Sequence, residues 1–301
     1  MKSKRKNSVV TSAPGSGRAT AGDIVIMIVI ALLSATCILP FVHVLAKSLS
    51  SNSDVLANNV ILLPKHLTFE AYREVFEDGQ MVHSLLYTMK MTLIFTVMGM
   101  AVTICAAYPL SRKRLKGRAF FALFITITMY FGAGLIPTYL LYKDLRLLNT
   151  MWVLILPLMF SPYNMLVMKS NFQSNIPDSL EESAFLDGAN NLQILLRIVL
   201  PLSKPILATL ALWYAVGRWN AYADAKYYIT AKSLQPIQYL LSNMILSTSE
   251  AISLSEGSMA TTTPEVQEAA MTMFATLPIL IVYPFVQKYF VKGTMIGAIK
   301  G

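Results

Sequence analysis

The chain has 301 residues, of which 55% are hydrophobic and only 14% charged, and it carries a net charge of +9 at neutral pH. Soluble domains typically hold about 25% charged residues, so this balance excludes an ordinary soluble protein and points to an all-α membrane protein. The excess of positive charge does not indicate nucleic acid, because the basic residues cluster beside apolar runs, where the positive-inside effect puts them.

In chain order, residues 1–20 contain Lys2, Lys4, Arg5, Lys6 and Arg18 with no acid, and read as a disordered basic cytoplasmic tail. A Gly15-Ser16-Gly17 step in that tail lacks a preceding strand and a third glycine, and no G-x-x-x-x-G-K-[ST] occurs anywhere, so the chain does not bind ATP in the P-loop manner. A helix needs about 20 apolar residues to cross a bilayer. Six stretches qualify: Ile24–Leu45, Ser84–Leu110, Ala119–Tyr142, Thr150–Met168, Pro205–Ala223 and Ala269–Val286. The first resembles a signal peptide in order of charge and apolarity, but no small-residue cleavage pattern follows it, so it is read as a retained helix. Cys37 and Cys105 each lie inside an apolar run and read as small packing residues. His43, His66 and His83 are scattered, and no metal or catalytic cluster emerges.

The loops set the topology. Residues 47–83 carry Asp54, Glu70, Glu74, Glu77 and Asp78 against Lys47, Lys65 and Arg73, which suits the outside. Directly after the second span, Arg112, Lys113, Arg114, Lys116 and Arg118 form a second strong inside signal. An arrangement of six transmembrane helices, N-in and C-in, satisfies both. It places residues 169–204 in the cytoplasm and leaves 224–268 as a long Ser/Thr-rich loop outside. Residues 21–301 are thus one transmembrane domain, with its core at about 80–290 and a cytoplasmic loop at 176–204.

That loop is unusual. Ser179-Leu180-Glu181-Glu182 fits a capping box at a helix start. Gly188 suits the left-handed residue that ends a helix, and Asn190 or Asn191 can cap a second helix running to Leu200 and stopping before Pro201. Leu180, Ala184 and Phe185 fall at helical spacing and could fill an apolar groove, with Glu181, Glu182 and Asp187 at its rim. Its acidic first half argues against a helix resting on anionic headgroups.

Between Glu182 and Pro201 the spacing Glu182-Ser183-Ala184, Gly188, Ile198, Leu200-Pro201 resembles the EAA loop of ABC importer permeases, departing only at Ser183, where alanine is usual. The end of the chain, YPFVQKYFVKGTMIGAIKG, is similar to permeases of the maltose-transport type. FGAGLIPTYLLYKDLRLLNT and the stretch 218–240, with Trp219-Asn220 and Leu234-Gln235-Pro236-Ile237-Gln238, look like their oligosaccharide branch. The resemblance implies a type I ABC importer transmembrane domain and a multi-pass subunit of the bacterial cell membrane. It also implies as partners a second permease, two ATP-binding subunits that hold the ATP and Mg, and an extracytoplasmic sugar-binding protein. Glu182, Ser183, Ala184, Asp187, Gly188, Ile198, Leu200 and Pro201 would be the coupling loop, and this chain would itself carry no cofactor and no catalytic residue.

A route for sugar would want flat aromatic faces and amide hydrogen bonds. Tyr163 and Asn164 near Pro157 and Pro162, which should interrupt the fourth helix, and Arg218, Trp219, Asn220 and Tyr222 at one end of the fifth span, offer that mixture. An interfacial aromatic belt would use the same residues, and Lys90 reads as a side chain snorkelling from the second span. Rival functions stay open at this point. An ABC permease for amino acids or peptides would share the loop. An ion-coupled transporter would need midplane charges, and a membrane-embedded enzyme would need a His, Asp or Ser constellation.

Overall fold

The structure is a computed structural model that describes residues 21–77, 79–254 and 263–298. The basic tail at 1–20 and part of the Ser/Thr-rich segment, 255–262, lie outside the described residues. All regular structure among those described is helical.

Among the described residues, three helices are long and apolar enough to cross a membrane, α1 (Ala21–Ser48), α4 (Gly79–Ser111) and α14 (Pro264–Ala298), and the bent pair Asn191–Leu202 and Lys204–Asn220 makes a fourth if counted as one span. They run through Pro40, Pro109, Pro278 and Pro284 as continuous helices. Between α1 and α4 the short helices α2 (Asn52–Leu56) and α3 (Glu70–Glu77) form a cap, with Ser51 accepting a hydrogen bond from the amide of Asp54 at the start of α2. The most apolar part of α1 is not covered by the rest of the chain. Cys37 and Cys105 are both exposed and unpaired, so the expected packing role for them is not seen.

The third expected span, Ala119–Tyr142, is broken. Helix α5 (Arg118–Ile127) stops, residues 128–134 turn, and α6 (Leu135–Asp144) starts after Gly134 at φ +83°. The fourth, Thr150–Met168, is broken too: a 3-10 turn at Met151–Leu154 precedes α7 (Pro162–Asn175), whose first residue is the proline itself. Proline has no amide to lose at that position and its φ is preset for a helix, so Pro162 starts α7 and does not interrupt it. The expected long loop at 224–268 is also corrected, since it contains α12 (Ala223–Tyr228) and α13 (Ile237–Leu254). The Ile237–Leu246 part is apolar enough to pack, and Ile237, Leu240 and Leu241 are buried in a cluster with Val266, Ala270 and Phe274 of α14.

The remaining helices are α8 (Asp178–Leu186), α9 (Asn191–Ile194), α10 (Leu200–Leu202) and α11 (Lys204–Asn220). α4 is the central post, packing most extensively on α7 and α11, while α1 and α11 both lean on α14. In a bilayer, lipid tails compete with apolar side chains, so close approach of small residues matters more than burial alone. Gly99 of α4 shows this: a Cβ there would lie 3.0 Å from the Met159 carbonyl oxygen and 3.0 Å from the Tyr214 ring. Thr103, one turn further on, shares a 2.7 Å hydrogen bond with the Tyr214 hydroxyl, which also accepts from the Ser161 amide at 3.2 Å. This knot ties α4, the start of α7 and α11 together.

Candidate functional site

The loop forms a hairpin of short helices. The expected Ser179–Glu182 capping box is not formed. Helix α8 begins at Asp178 behind Pro177, with no side-chain cap, which leaves Ser179 already inside the first turn. Its far end is a complete Schellman turn: Gly188 N–H donates to Phe185 O (3.0 Å) and Ala189 N–H to Ala184 O (2.9 Å), with Gly188 at φ +81°. The capping box lies on the next helix. Asn190 Oδ1 accepts from the Gln193 amide and Gln193 Oε1 from the Asn190 amide, each at 2.9 Å.

Helix α9 does not stop before Pro201. It passes into a π turn at Leu195–Val199, where Leu200 N–H reaches back to Leu195 O, and the helical path continues through Pro201 to Leu202. Proline clashes with the carbonyl four residues back in a regular α-helix. The wider π turn just upstream lets the path absorb it. The bend comes at Ser203 instead, where the Asn191–Leu202 segment meets α11 at 85°.

The hairpin is clamped to the basic loop after α4. Arg112 Nη2 lies 3.0 Å from Glu181 Oε1, with the two side chains only 5% and 7% exposed. The approach is not aligned as a hydrogen bond, so Arg112 Nε and Nη2 and Glu181 Oε1 are buried without hydrogen-bond partners. The guanidinium also lies over the Tyr108 ring at 5.2 Å. Lys113 Nζ donates to Asp178 Oδ2 at 2.8 Å, and Arg114 donates to Asn191 Oδ1 at 2.5 Å while covering the Phe185 ring at 4.4 Å. The Lys113 ammonium, by hydrogen bond and then by charge, holds the Asp178 carboxyl below its usual range.

Of the eight residues expected in the loop function, Glu182, Ser183, Asp187, Gly188 and Pro201 are exposed. Ala184 instead packs inward with Met168, Phe172 and Ile194, and Ile198 and Leu200 lie half-buried against the same cluster. Ala184 therefore permits close approach of α8 to its own chain, not to an outside groove. The Ser183 hydroxyl donates to Ser179 O at 3.0 Å and is satisfied inside its helix. The tip is Leu186, 90% exposed beside the glycine turn.

Farther along the bundle, α4, α7 and α11 line an open cavity of about 240 Å³, with Phe95, Asn164, Trp213, Tyr214, Gly217 and Arg218 among its walls. Arg218 has no exposed side-chain surface. It donates to both Asp224 carboxylate oxygens, at 2.5 and 2.9 Å, and to Leu154 O at 3.0 Å, while its Nε has no partner. Among the expected route residues, Asn164 and Arg218 line this cavity. Tyr163 stacks on Trp213 with ring centroids 6.0 Å apart. Trp219 is buried in the other cluster, with Val75 and Ile237, while Asn220 and Tyr222 are exposed at the end of α11. Lys90 is exposed beside a separate, largely apolar groove of about 470 Å³ between α4, α11 and α14.

Arg112, Asp178 and Asn191 as parts of the clamp, and Asp224 as the partner of Arg218, are not foreseen from the sequence. The run Ser111–Arg118 stands out there, but as a topology signal, and that first use hides the second.

Residues 83–296 match the family described as the inner membrane component of binding-protein-dependent transport systems. The chain is similar to the polygalacturonan/rhamnogalacturonan transport system permease protein YtcP of Bacillus subtilis (strain 168), with 40% identity over 281 residues, 93% of this chain and 98% of that protein. It is also similar to the galactooligosaccharides transport system permease protein GanQ of the same strain, with 31% identity covering 91% of this chain and 94% of that one. Among solved structures, a bacterial ABC transporter involved in the import of the acidic polysaccharide alginate contains a similar chain, with TM-score 0.81 and 31% identity, covering 91% of this chain and 100% of that one. With a family match over most of its length and likenesses of this extent, the chain belongs to the inner membrane components of binding-protein-dependent transport systems, and is a transport component, not an enzyme.

Proposed function

We propose that the chain is one permease subunit of an ATP-driven, binding-protein-dependent importer of oligosaccharides or polysaccharide fragments. The substrate class rests on the roles its relatives are named for, which concern pectic polysaccharides, galacto-oligosaccharides and alginate. The subunit sits in the bacterial cytoplasmic membrane with six passes, N-in and C-in; the broken pairs α5–α6 and 151–175 supply the third and fourth. It works with a second, non-identical permease, two ATP-binding subunits and an extracytoplasmic sugar-binding protein. ATP and Mg are held by the ATP-binding subunits.

The observation that carries the coupling role is the hairpin itself. Its base is fastened by Arg112, Lys113 and Arg114, while Leu186, Glu182 and Asp187 stand exposed around the Gly188 turn. A short element fixed at its root and open at its tip suits a partner that pushes on it. Movement of the tip reaches α4 through the clamp and α11 through the Ser203 bend, and those two helices wall the cavity. The cavity, with aromatic rings and the Asn164 amide, is the part of the sugar route that this subunit supplies.

The test is Leu186→Asp in the full importer reconstituted in vesicles with its binding protein. A charged tip should weaken retention of the ATP-binding subunits on purification and lower oligosaccharide uptake. Unchanged retention and uptake would overturn the docking role. An amino-acid or peptide importer is not favoured, because the relatives named above are carbohydrate permeases.

A further inference from the structure

The cavity has a charge state that its cation alone would not suggest. Arg218 is the charged residue of its wall, and beside relatives that handle acidic polysaccharides it would be taken for a carboxylate receptor. Yet both of its terminal nitrogens are already committed to Asp224 in a bidentate pair, and one of them also donates to the Leu154 carbonyl. The fork geometry that would meet an incoming carboxylate is therefore occupied. A uronate in the cavity would place a second anion near Asp224, with a single, already committed guanidinium to balance both.

What the wall still offers is neutral recognition. The Arg218 side chain has no exposed surface and presents no free cation, while the Asn164 amide lines the same space and Phe95, Trp213 and Tyr214 supply rings. The rings suit the C–H face of a pyranose, and the Asn164 amide suits a hydroxyl or ring oxygen. A volume of about 240 Å³ falls just under the range of drug-sized pockets, about 300–1,000 Å³, and matches a single sugar unit.

We infer that this subunit's cavity receives an uncharged glycosyl unit of the transported oligosaccharide and rejects a uronate there, because Asp224 compensates Arg218. The inference rests on the reading of the cavity as part of the sugar route. Any acidic unit of a mixed substrate is then accommodated elsewhere in the assembly.

The experiment reads the cavity directly. In the assembled importer, Cys37 and Cys105 are replaced by serine and Asn164→Cys is labelled with an uncharged maleimide, with galactotriose or trigalacturonate as protecting probe. Galactotriose should slow labelling of this subunit at concentrations about tenfold below those at which trigalacturonate does so. Asp224→Asn leaves the guanidinium uncompensated and should reverse that order. Asp224→Glu retains the charge and should preserve it, which separates loss of charge from loss of fold. Equal protection by the two probes, stronger protection by trigalacturonate in the unsubstituted background, or an Asp224→Asn variant with unchanged order would overturn the inference. Protection by neither probe would instead overturn the assignment of the cavity to the sugar route, and the inference with it.

Discussion

The hairpin clamp and the cavity wall each contain a largely buried ion pair, and the two are built differently. Arg218 and Asp224 are six residues apart, meet through two aligned hydrogen bonds and are supported by a backbone carbonyl. Arg112 and Glu181 come from separate elements and touch at one unaligned contact, which leaves Arg112 Nε and Nη2 and Glu181 Oε1 without a hydrogen-bond partner. A buried pair repays its desolvation only with good geometry and further hydrogen bonds. By that measure the cavity pair is a finished lock, whereas the clamp pair has open hydrogen-bonding capacity that a second arrangement could satisfy. The difference suits the roles proposed above, a wall of the cavity for one pair and a joint between hairpin and post for the other.

Removing one side of each pair is the sharpest way to break this contrast. Arg218→Met strands Asp224 without a counter-charge and should cost about 3–5 kcal/mol, seen as a large fall in the thermal unfolding temperature of the purified complex. An unchanged unfolding temperature would show that the lock is not what holds α11 to α12. Arg112→Met should cost somewhat less, about 3 kcal/mol at the lower end of the same range, because the contact it removes is unaligned. The double variant Arg112→Met with Glu181→Leu should recover most of that stability yet leave uptake impaired. Recovery of uptake as well would reduce the clamp to packing.

The glycine turn comes next in size. No atom lies within 4 Å of a Cβ built on Gly188, so Gly188→Leu meets only the backbone cost of its left-handed conformation, about 1–2 kcal/mol. The complex should fold and hydrolyse ATP while oligosaccharide uptake collapses; wild-type uptake would dismiss the turn's role.

The smallest effect belongs to the exposed Lys113–Asp178 contact. Asp178→Asn should leave the unfolding temperature nearly unchanged, since exposed pairs contribute little. The carboxyl is held below its usual 3.8, so whatever it contributes is present above that value and fades as the pH falls through the lowered one. The difference between wild type and Asp178→Asn should accordingly be flat at neutral pH and close only on strong acidification. A difference that instead grows toward acid pH would contradict the assignment.

Some of this is legible in the residues because it is local chemistry. Gly188 and Asn190 announce their turn and cap with side chains and torsions that need no distant partner. α1, α4 and α14 are legible because a long apolar run has few other fates. The breaks in the third and fourth spans are harder to see. An apolar stretch has the same composition whether its helix is continuous or interrupted, and only Pro157 and Pro162 mark one of the two. Ser179–Glu182 matches a capping pattern that Pro177 pre-empts by starting α8 earlier. Glu181 and Glu182 are neighbours of the same type, and only contact with Arg112 decides that the first is buried and the second exposed. Asp224 stands near Arg218 in the sequence, but whether it spends its charge on that arginine is a matter of backbone path at Ala221 and Tyr222.

The uncovered face of α1 bears on how the protein is made. A helix that is apolar around its circumference and satisfies its own backbone is stable in lipid before any later segment exists. α1 can therefore leave the insertion machinery alone and hold the nascent chain in place. The ten-residue helices α5 and α6 are too short to span alone and must wait for α7, which packs on α5, and for α12, whose Tyr228 meets Tyr139 and Tyr142 of α6. Synthesis of this protein thus has a natural pause point. A fragment comprising α1 alone should integrate as a single pass, whereas residues 118–144 alone should slip back to the aqueous side.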